Sequence, residues 1–551
     1  MFHTLISRIS QNWKSGLTVA LVSIPLSLSL AIASGAAPMT GIITAVWAGL
    51  VAAIFGGSHF NVIGPAGALS GILAAYTLMN DPKTLPVLAI LSGVLILIAW
   101  LGRLERFLVF VPGSTIHGFT LSVGITIAFT QLNSALGLSG LEKHPEFLQN
   151  VAESFRHLSQ ASLPTFVTFA VGLGFLFLLL KLKPKLPGAI VLAPLAILLG
   201  YLSSSGYFSF QLATIGSTFP DIKASLIDFP VFVLNKGMVI TAFTVAFVAI
   251  LETMLSAKIA DGMTKTVYNE RKEMFGLGLA NVVSGFFGGL PATGVLVRTA
   301  LNARSGANHK VSSAINAIIV GIVSLVLFQW FKFLPMAAIA AILVFASIRM
   351  VEFERFAHYF RHDRVHFFLA LLVTAVSVYK DPTIGLLVGI VVSLFVFMEK
   401  VSRGQCEIIE NRLEGGEGVI LENKGLKQFE AQDKRDHILV YSLKGPLAYI
   451  NSQAHISRFR SHLVGYDWVI LRLREVNFMD SDGVDALDSI IEMIEDQGKK
   501  VCISGLNVFT QQSLDHLSAF QRLQKEGFVF GKTKQALEYV RGISEDSKAK
   551  N

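Results

Sequence analysis

Two charged residues stand inside apolar runs of this sequence, one of them just after a stretch that breaks a helix. Glu252 lies in "FVAILETMLSAKIADG" (247–262), and Arg298 in "GGLPATGVLVRTA" (288–300). A lone carboxylate in apolar surroundings is costly, so Glu252 has to bind a cation, pair with Arg298, or take up a proton. Arg298 offers a full positive charge close to a segment end, from where it attracts an anion or snorkels to water. The breaks are Gly64-Pro65 in "HFNVIGPAGALSG" (59–71) and Pro291 with Gly294 ahead of Arg298. A helix that starts at such a break exposes free N–H groups and about half a unit of positive charge. That chemistry is anion binding by backbone amides, with small side chains at 66 to 68 leaving room. Thr253, Ser256 and Thr293 add hydroxyl oxygens that a cation could use.

Those residues need elements to hold them, and composition says where the elements lie. Of 551 residues 52% are hydrophobic and 15% charged, with a mean hydropathy of +0.58; soluble domains carry about 25% charge. No Asp or Glu occurs before Asp81. The chain reads as a polytopic helical membrane protein, whose first apolar run is expected to stay as a spanning helix. Fourteen segments are predicted, at 16–34, 40–56, 66–79, 86–102, 107–131, 164–182, 188–202, 237–260, 275–290, 295–303, 311–330, 334–348, 366–380 and 382–400. Two of them, 66–79 and 295–303, are too short to cross, and they carry the two breaks. Pro65 and Pro291 lie 226 residues apart, as a seven-plus-seven duplication would place them. Paired short segments in two halves point to a transporter's midplane site.

With the N-terminus in the cytoplasm, the inward loops "GRLER", "KLKPK", "AKIADGMTKTVYNERKE", "ARSGANHK" and "RMVEFERFAHYFRHDR" are all basic, as the positive-inside rule requires. An even helix count then puts the C-terminus inside too. The pI of 9.3 follows from this topology and calls for no nucleic-acid partner. No Walker loop, HExxH or GxSxG motif occurs, and Cys406 and Cys502 are too far apart for a metal or redox pair. No cofactor, metal site or enzymatic chemistry is therefore expected. The glycine-rich "GLGLANVVSGFFGG" (276–289) reads as a helix-packing face. Beyond 400, "RDHILVYSL", "DWVILRLREV" and "KVCISGL" read as strands, and "DSDGVDALDSIIEMIEDQ", "TQQSLDHLSAF" and "TKQALEYVRGI" as helices. The predicted organisation is a transmembrane domain at 1–400, a linker at 401–435, a small cytoplasmic α/β domain at 436–543 and a disordered tail at 544–551.

The stretches "GPAGALSG", "LETMLSAKIADG", "GGLPATGVLVRTALNARSGA" and "NFMDSDGVDAL" resemble the sulfate permease family of anion transporters, bacterial relatives of the solute carrier 26 family, ending in a STAS domain. The resemblance implies a fold shared with uracil transporters, two inverted seven-helix repeats forming a core and a gate. It implies an anion between the third and tenth helices, surrounded by Ala66, Gly67, Ala68, Leu296, Val297 and Arg298, with Pro25 and Leu30 from the first helix. Sodium-coupled bicarbonate members look to carry Asp where Glu252 stands and Thr where Leu296 stands. The lost hydroxyl favours a carrier in which Glu252 titrates, or an exchanger, while Thr253, Ser256 and Thr293 keep a sodium site open. In the STAS domain the loop Asp480-Ser481-Asp482-Gly483 leaves Ser481 as a candidate phosphorylation site, although Asp480 to Asp482 equally suit a helix start.

The expected function is secondary active transport of a small anion, sulfate, bicarbonate or a dicarboxylate, coupled to H+ or Na+ or by exchange, through an elevator-like or rocking core. The expected setting is the bacterial cytoplasmic membrane, as a homodimer with a candidate cytoplasmic partner for the STAS domain. A passive anion channel and a membrane anion sensor signalling through that domain are the alternatives.

Overall fold

Hydrocarbon offers a backbone no hydrogen bonds, so each apolar segment has to satisfy itself as a helix. The computed structural model describes residues 2–106, 111–142, 144, 146–183, 187–220, 223–230, 232, 236–380, 382–402, 405–410, 438–460 and 466–548. Each of the fourteen predicted segments corresponds to a helix: α1 (Phe2–Ala33), α2 (Pro38–Phe55), α3 (Gly67–Met79), α4 (Leu85–Leu101), α5 (Gly113–Thr130), α6 (Leu163–Leu182), α7 (Gly188–Ser204), α8 (Lys236–Thr264), α9 (Glu270–Phe286), α10 (Leu296–Arg304), α11 (Val311–Val326), α12 (Met336–Met350), α13 (Arg364–Tyr379) and α14 (Pro382–Ser402). The start of the fifth predicted segment, 107–110, lies outside the described residues. Among the described residues, eight helical spans are long and apolar enough to cross a membrane. The chain divides into two compact units, 1–393 and 394–551.

In the first unit the helices sort into two groups. α1 packs on α2 and α11, α9 on α2 and α4, and α8 on α4 and α10. In the second group α5 packs on α12 and α13, and α6 on α7 and α12. The groups meet where α1 touches α7 and α12 and where α3 touches α5. Glycines make the first group tight. A Cβ on Gly276 would stand 2.7 Å from the Gly56 Cα, and one on Gly285 2.4 Å from the Pro86 carbonyl, so the glycine-rich face of α9 seats α2 and α4 backbone to backbone as predicted.

The second unit is a five-stranded sheet in the order β3-β4-β5-β6-β7, numbered after two short strands of the first unit described below. β3 (Gln405–Glu410) runs antiparallel to β4 (Ile438–Leu447), while β5 (Trp468–Met479), β6 (Lys500–Ser504) and β7 (Val529–Phe530) continue parallel. Helices α15 (Ser452–Arg460), α16 (Ser481–Asp496), α17 (Val508–Leu514), α18 (Ser518–Lys525) and α19 (Thr533–Lys548) complete it. Leu471, Leu487, Ile490 and Ile503 are fully buried in its core.

Three expectations need correction. The span read as a linker contains β3, whose edge pairing with β4 no local pattern announces; its stretch 411–435 lies outside the described residues. The helix read over 510–520 is two, α17 and α18, separated at Asp515–Leu517. Helix α19 continues to Lys548 through part of the tail read as disordered, and 549–551 lie outside the described residues.

Candidate functional site

The two breaks meet. Residues Ile63–Gly64 and Thr293–Gly294 form the strands β1 and β2, paired antiparallel with Ile63 opposite Gly294 and Gly64 opposite Thr293. Because the strands run antiparallel, the chain passes from them into α3 and α10 in opposite senses. Their N-cap residues, Ala66 and Val295, are extended and receive no side-chain cap. The first amides of both helices therefore lack intrahelical partners and present the positive ends of two dipoles.

Irregular backbone at this depth has to be satisfied by something other than water, and buried polar side chains do it. Glu273 on α9, 2% exposed, accepts from the amides of Gly57 at 2.7 Å and Ser58 at 2.8 Å. Its other oxygen accepts from the Asn61 side chain at 2.7 Å. The Asn61 amide also donates to the Thr253 carbonyl at 3.2 Å and accepts from the Ser256 hydroxyl at 3.0 Å and the Thr299 hydroxyl at 2.9 Å. All four of its hydrogen-bonding capacities are used. The Val62 amide donates to the Thr299 hydroxyl, the Gly294 amide to the Thr253 hydroxyl, the Leu290 amide to Thr44 and the Ala292 amide to Asn281. Asn302 donates to the Phe60 carbonyl, and Ser313 to that of Asn61. Gly288, at φ +91°, turns the chain out of α9 into this stretch; a Cβ there would meet the Asp228 carbonyl at 2.0 Å.

Arg298, 1% exposed, lies against β1. Its guanidinium donates to the Pro65 carbonyl at 3.3 Å, and its Nε has no partner among the described residues. A Cβ on Gly64 would stand 2.8 Å from its Nη1, so glycine at 64 makes room for the fork. Burial inside the fold thus replaces the snorkelling geometry. Glu252 on α8 is half-buried and accepts from the Thr293 hydroxyl at 2.5 Å. Among the described residues Thr293 is its one hydrogen-bond partner, and no salt bridge joins it to Arg298. The two charges lie within electrostatic reach of one another without direct contact. The permanent ion pair considered from sequence is therefore not formed here.

Of the other residues singled out, Ala66, Gly67 and Ala68 are buried at the start of α3, Leu296 is half-buried and Val297 is 38% exposed at the start of α10. A Cβ on Gly67 would meet Ile127 at 2.7 Å, Met350 at 3.5 Å and Leu30 at 3.9 Å, so Leu30 stands beside this helix end, with α5 and α12 closing over it. Pro25 is five residues before Leu30, about 140° around the helix, and lines an apolar cleft towards α7. The hydroxyls of Thr253 and Ser256 are engaged by Gly294 and Asn61, while that of Thr293 faces Glu252. Sequence reasoning missed Asn61, Glu273, Thr299 and Asn302. Thr299 and Asn302 carried a signal, two polar side chains three residues apart on the short α10, whereas Asn61 in the non-helical stretch before β1 and Glu273 beside the charged residues 270–272 carried none. In the second unit Asp480 caps α16, accepting from the amides of Gly483 at 2.8 Å and Tyr449 at 3.1 Å, and Ser481 is exposed at the first helical position.

Comparison with known proteins gives this arrangement relatives. The model of the sulfate permease family matches residues 10–373, and that of the STAS domain residues 431–536. The Bacillus subtilis protein YvdB is 29% identical over 528 residues, covering 95% of this chain and 96% of that protein. The bicarbonate transporter BicA of Picosynechococcus is 24% identical over 552 residues, covering 96% and 94%. The structure of murine solute carrier 26 family member A9, an anion transporter, superposes with a TM-score of 0.82 at 16% identity, covering 97% of this chain and 92% of that one.

Proposed function

Because this chain belongs to the sulfate permease family and is a multi-pass membrane protein ending in a STAS domain, we propose that it is a secondary active transporter of a small anion. Sulfate, bicarbonate and a dicarboxylate are the substrate classes. The observation that carries the reading is the meeting of two uncapped helix ends, α3 and α10, beside a buried guanidinium with an unused donor. Backbone amides at Ala66 to Ala68 and Leu296 to Arg298 hold the anion, Arg298 attracts it without a tight bidentate grip, and Leu30 walls the site. Pro25 serves α1 as a kink.

Glu252 couples transport to a cation. Its unbonded oxygen receives a proton when the site is occupied, or the carboxylate and Thr293 hold Na+ with help from Thr253 and Ser256; an exchanger leaves it ionised throughout. The group of α1, α2, α4 and α8 to α11, carrying α3, moves as a core against the gate helices to open the site alternately to each side. The protein works in a bacterial cytoplasmic membrane with both termini inside, as a homodimer. Ser481 and the neighbouring exposed loop of the STAS domain offer a place for regulation or a cytoplasmic partner.

The test is uptake of labelled sulfate, bicarbonate and fumarate by purified protein in liposomes, each with a proton gradient, a sodium gradient or neither. Gradient-driven, saturable uptake of one anion, lost in Arg298→Ala and uncoupled in Glu252→Gln, is the expected result. Unsaturable anion current without cation coupling would replace the carrier by a channel. Binding without flux would replace it by a sensor.

A further inference from the structure

We propose that the apolar cleft between α1, α7 and α11 binds one phospholipid, its acyl chain in the cleft and its phosphate at Lys332. The cleft has a volume of about 410 Å³. Its walls include Pro25 of α1, Ala189, Ala193 and Pro194 of α7, and Trp330 just beyond α11. Pro25 and Pro194 both stand in helix interiors. Each lacks an N–H and displaces the turn before it in its own helix, and both prolines line the cleft. An empty space of that size forfeits dispersion contacts along its walls, and the surrounding bilayer supplies chains that restore them.

The shape fits a chain. Along α7 the lining runs from Ala189 to Tyr201, about 18 Å at roughly 1.5 Å per residue. That is a little over half of a hydrocarbon core of about 30 Å, the reach of one extended acyl chain in one leaflet. The chemistry fits as well. Among the lining residues only Tyr201 and Trp330 have polar side-chain atoms, and they sit together, ring centroids 6.4 Å apart, at one end. Such rings mark headgroup level. Beside them Lys332 is fixed by its backbone, whose carbonyl accepts from the Gly216 amide at 2.8 Å, and its ammonium lies 5.2 Å from the Phe328 ring centroid. It forms no salt bridge among the described residues, which leaves its charge for a phosphate. The cleft also lies where the two helix groups meet, so its occupant touches both.

The experiment uses the full chain in vesicles of phosphatidylethanolamine and phosphatidylglycerol with a trace of phospholipid bearing a diazirine in its acyl chain. After photolysis, adducts are mapped by peptide mass spectrometry. Labelling concentrated several-fold on 189–201 and 323–331, and competed by unlabelled phospholipid, is expected. Ala193→Phe fills the cleft and should lower that labelling at least fivefold while leaving other lipid-facing helices unchanged; Ala189→Leu does the same from the other end if the first variant does not fold. Uniform, uncompeted labelling of all lipid-facing helices would overturn the site as mere annular contact, as would undiminished labelling in a folded filled variant. Lys332→Gln should weaken labelling by the phospholipid probe and spare a diacylglycerol probe without phosphate. Equal labelling by both, before and after the substitution, would overturn the phosphate assignment.

Discussion

Asn61→Ala removes one side chain that holds three helices, α8, α9 and α10, to the broken segment, and its effect can be worked from the bonds. Three of the four partners have other recourse. The Thr253 carbonyl sits inside α8, the Thr299 hydroxyl still accepts from Val62, and the Ser256 hydroxyl can rotate to its own helix. Glu273 has none: one of its oxygens loses its 2.7 Å donor in a place 2% exposed. Glu273 keeps the Gly57 and Ser58 amides, so the loss is that of one hydrogen bond to a buried carboxylate, about 1.5–3 kcal/mol. Domains of about 150–250 residues lose about 2–4 °C per kcal/mol and larger ones less, so thermal unfolding of the purified full chain, followed by intrinsic fluorescence, should shift down by about 2–6 °C. The exchange of Asn61→Asp with Glu273→Gln reverses donor and acceptor across the same contact and should recover at least half of that loss, whereas Asn61→Asp alone sets two carboxylates together and should be worse than the alanine. A shift under 1 °C in Asn61→Ala, or no recovery in the exchange, would refute the assignment of this bond as the fastening of the site.

Gly64→Ala puts a methyl 2.8 Å from the Arg298 Nη1, the far end of a flexible side chain; it should leave the unfolding temperature within about 2 °C of the parent and raise the KM for anion uptake, measured in liposomes. His455 is buried, and burial first, then Arg458, lowers its pKa to about 4. The unfolded chain takes up that proton near pH 6.5, so below it the unfolded state binds more protons and stability falls until the folded pKa is passed. The loss between pH 7 and pH 5 should be about 2 kcal/mol, read as hydrogen exchange of the β4 to β6 amides in the full chain and absent in His455→Gln. Burial pushes the Cys502 thiol up to about 12. In a Cys406→Ser background a maleimide at pH 8 should react about 10³-fold more slowly than with an exposed thiol, from thiolate fraction alone, and at the ordinary rate in denaturant.

Much of the membrane unit is legible in the sequence because hydrocarbon leaves few choices. An apolar run of sufficient length has to be a helix, and all fourteen segments are helices within a few residues of their expected ends, apart from α1, which starts fourteen residues before its apolar run. The two half-length segments are legible for the same reason, since Gly64-Pro65 and Pro291 cannot continue a helix. The edges of the second unit are not. β3 and β7 are strands because β4 and β6 offer them unpaired edges, and a pairing between residues far apart in sequence leaves little local trace.

The site divides in the same way. Sequence alone determined that two helix ends fall at breaks within apolar stretches and that Arg298 follows one of them, because residue type and spacing act locally; that Glu252 lies beside the same break was decided by the fold. Tertiary structure alone decided that those ends meet through β1 and β2, that Arg298 reaches Pro65 and not Glu252, and that Pro25 faces away from Leu30. It also decided which buried polar residues matter. Asn61, Glu273 and Thr299 come from three separate stretches, and only the fold brings a carboxylate and a hydroxyl each within 3 Å of one amide side chain. Water can satisfy a polar group wherever the chain leaves it, but inside a membrane only another part of the chain can.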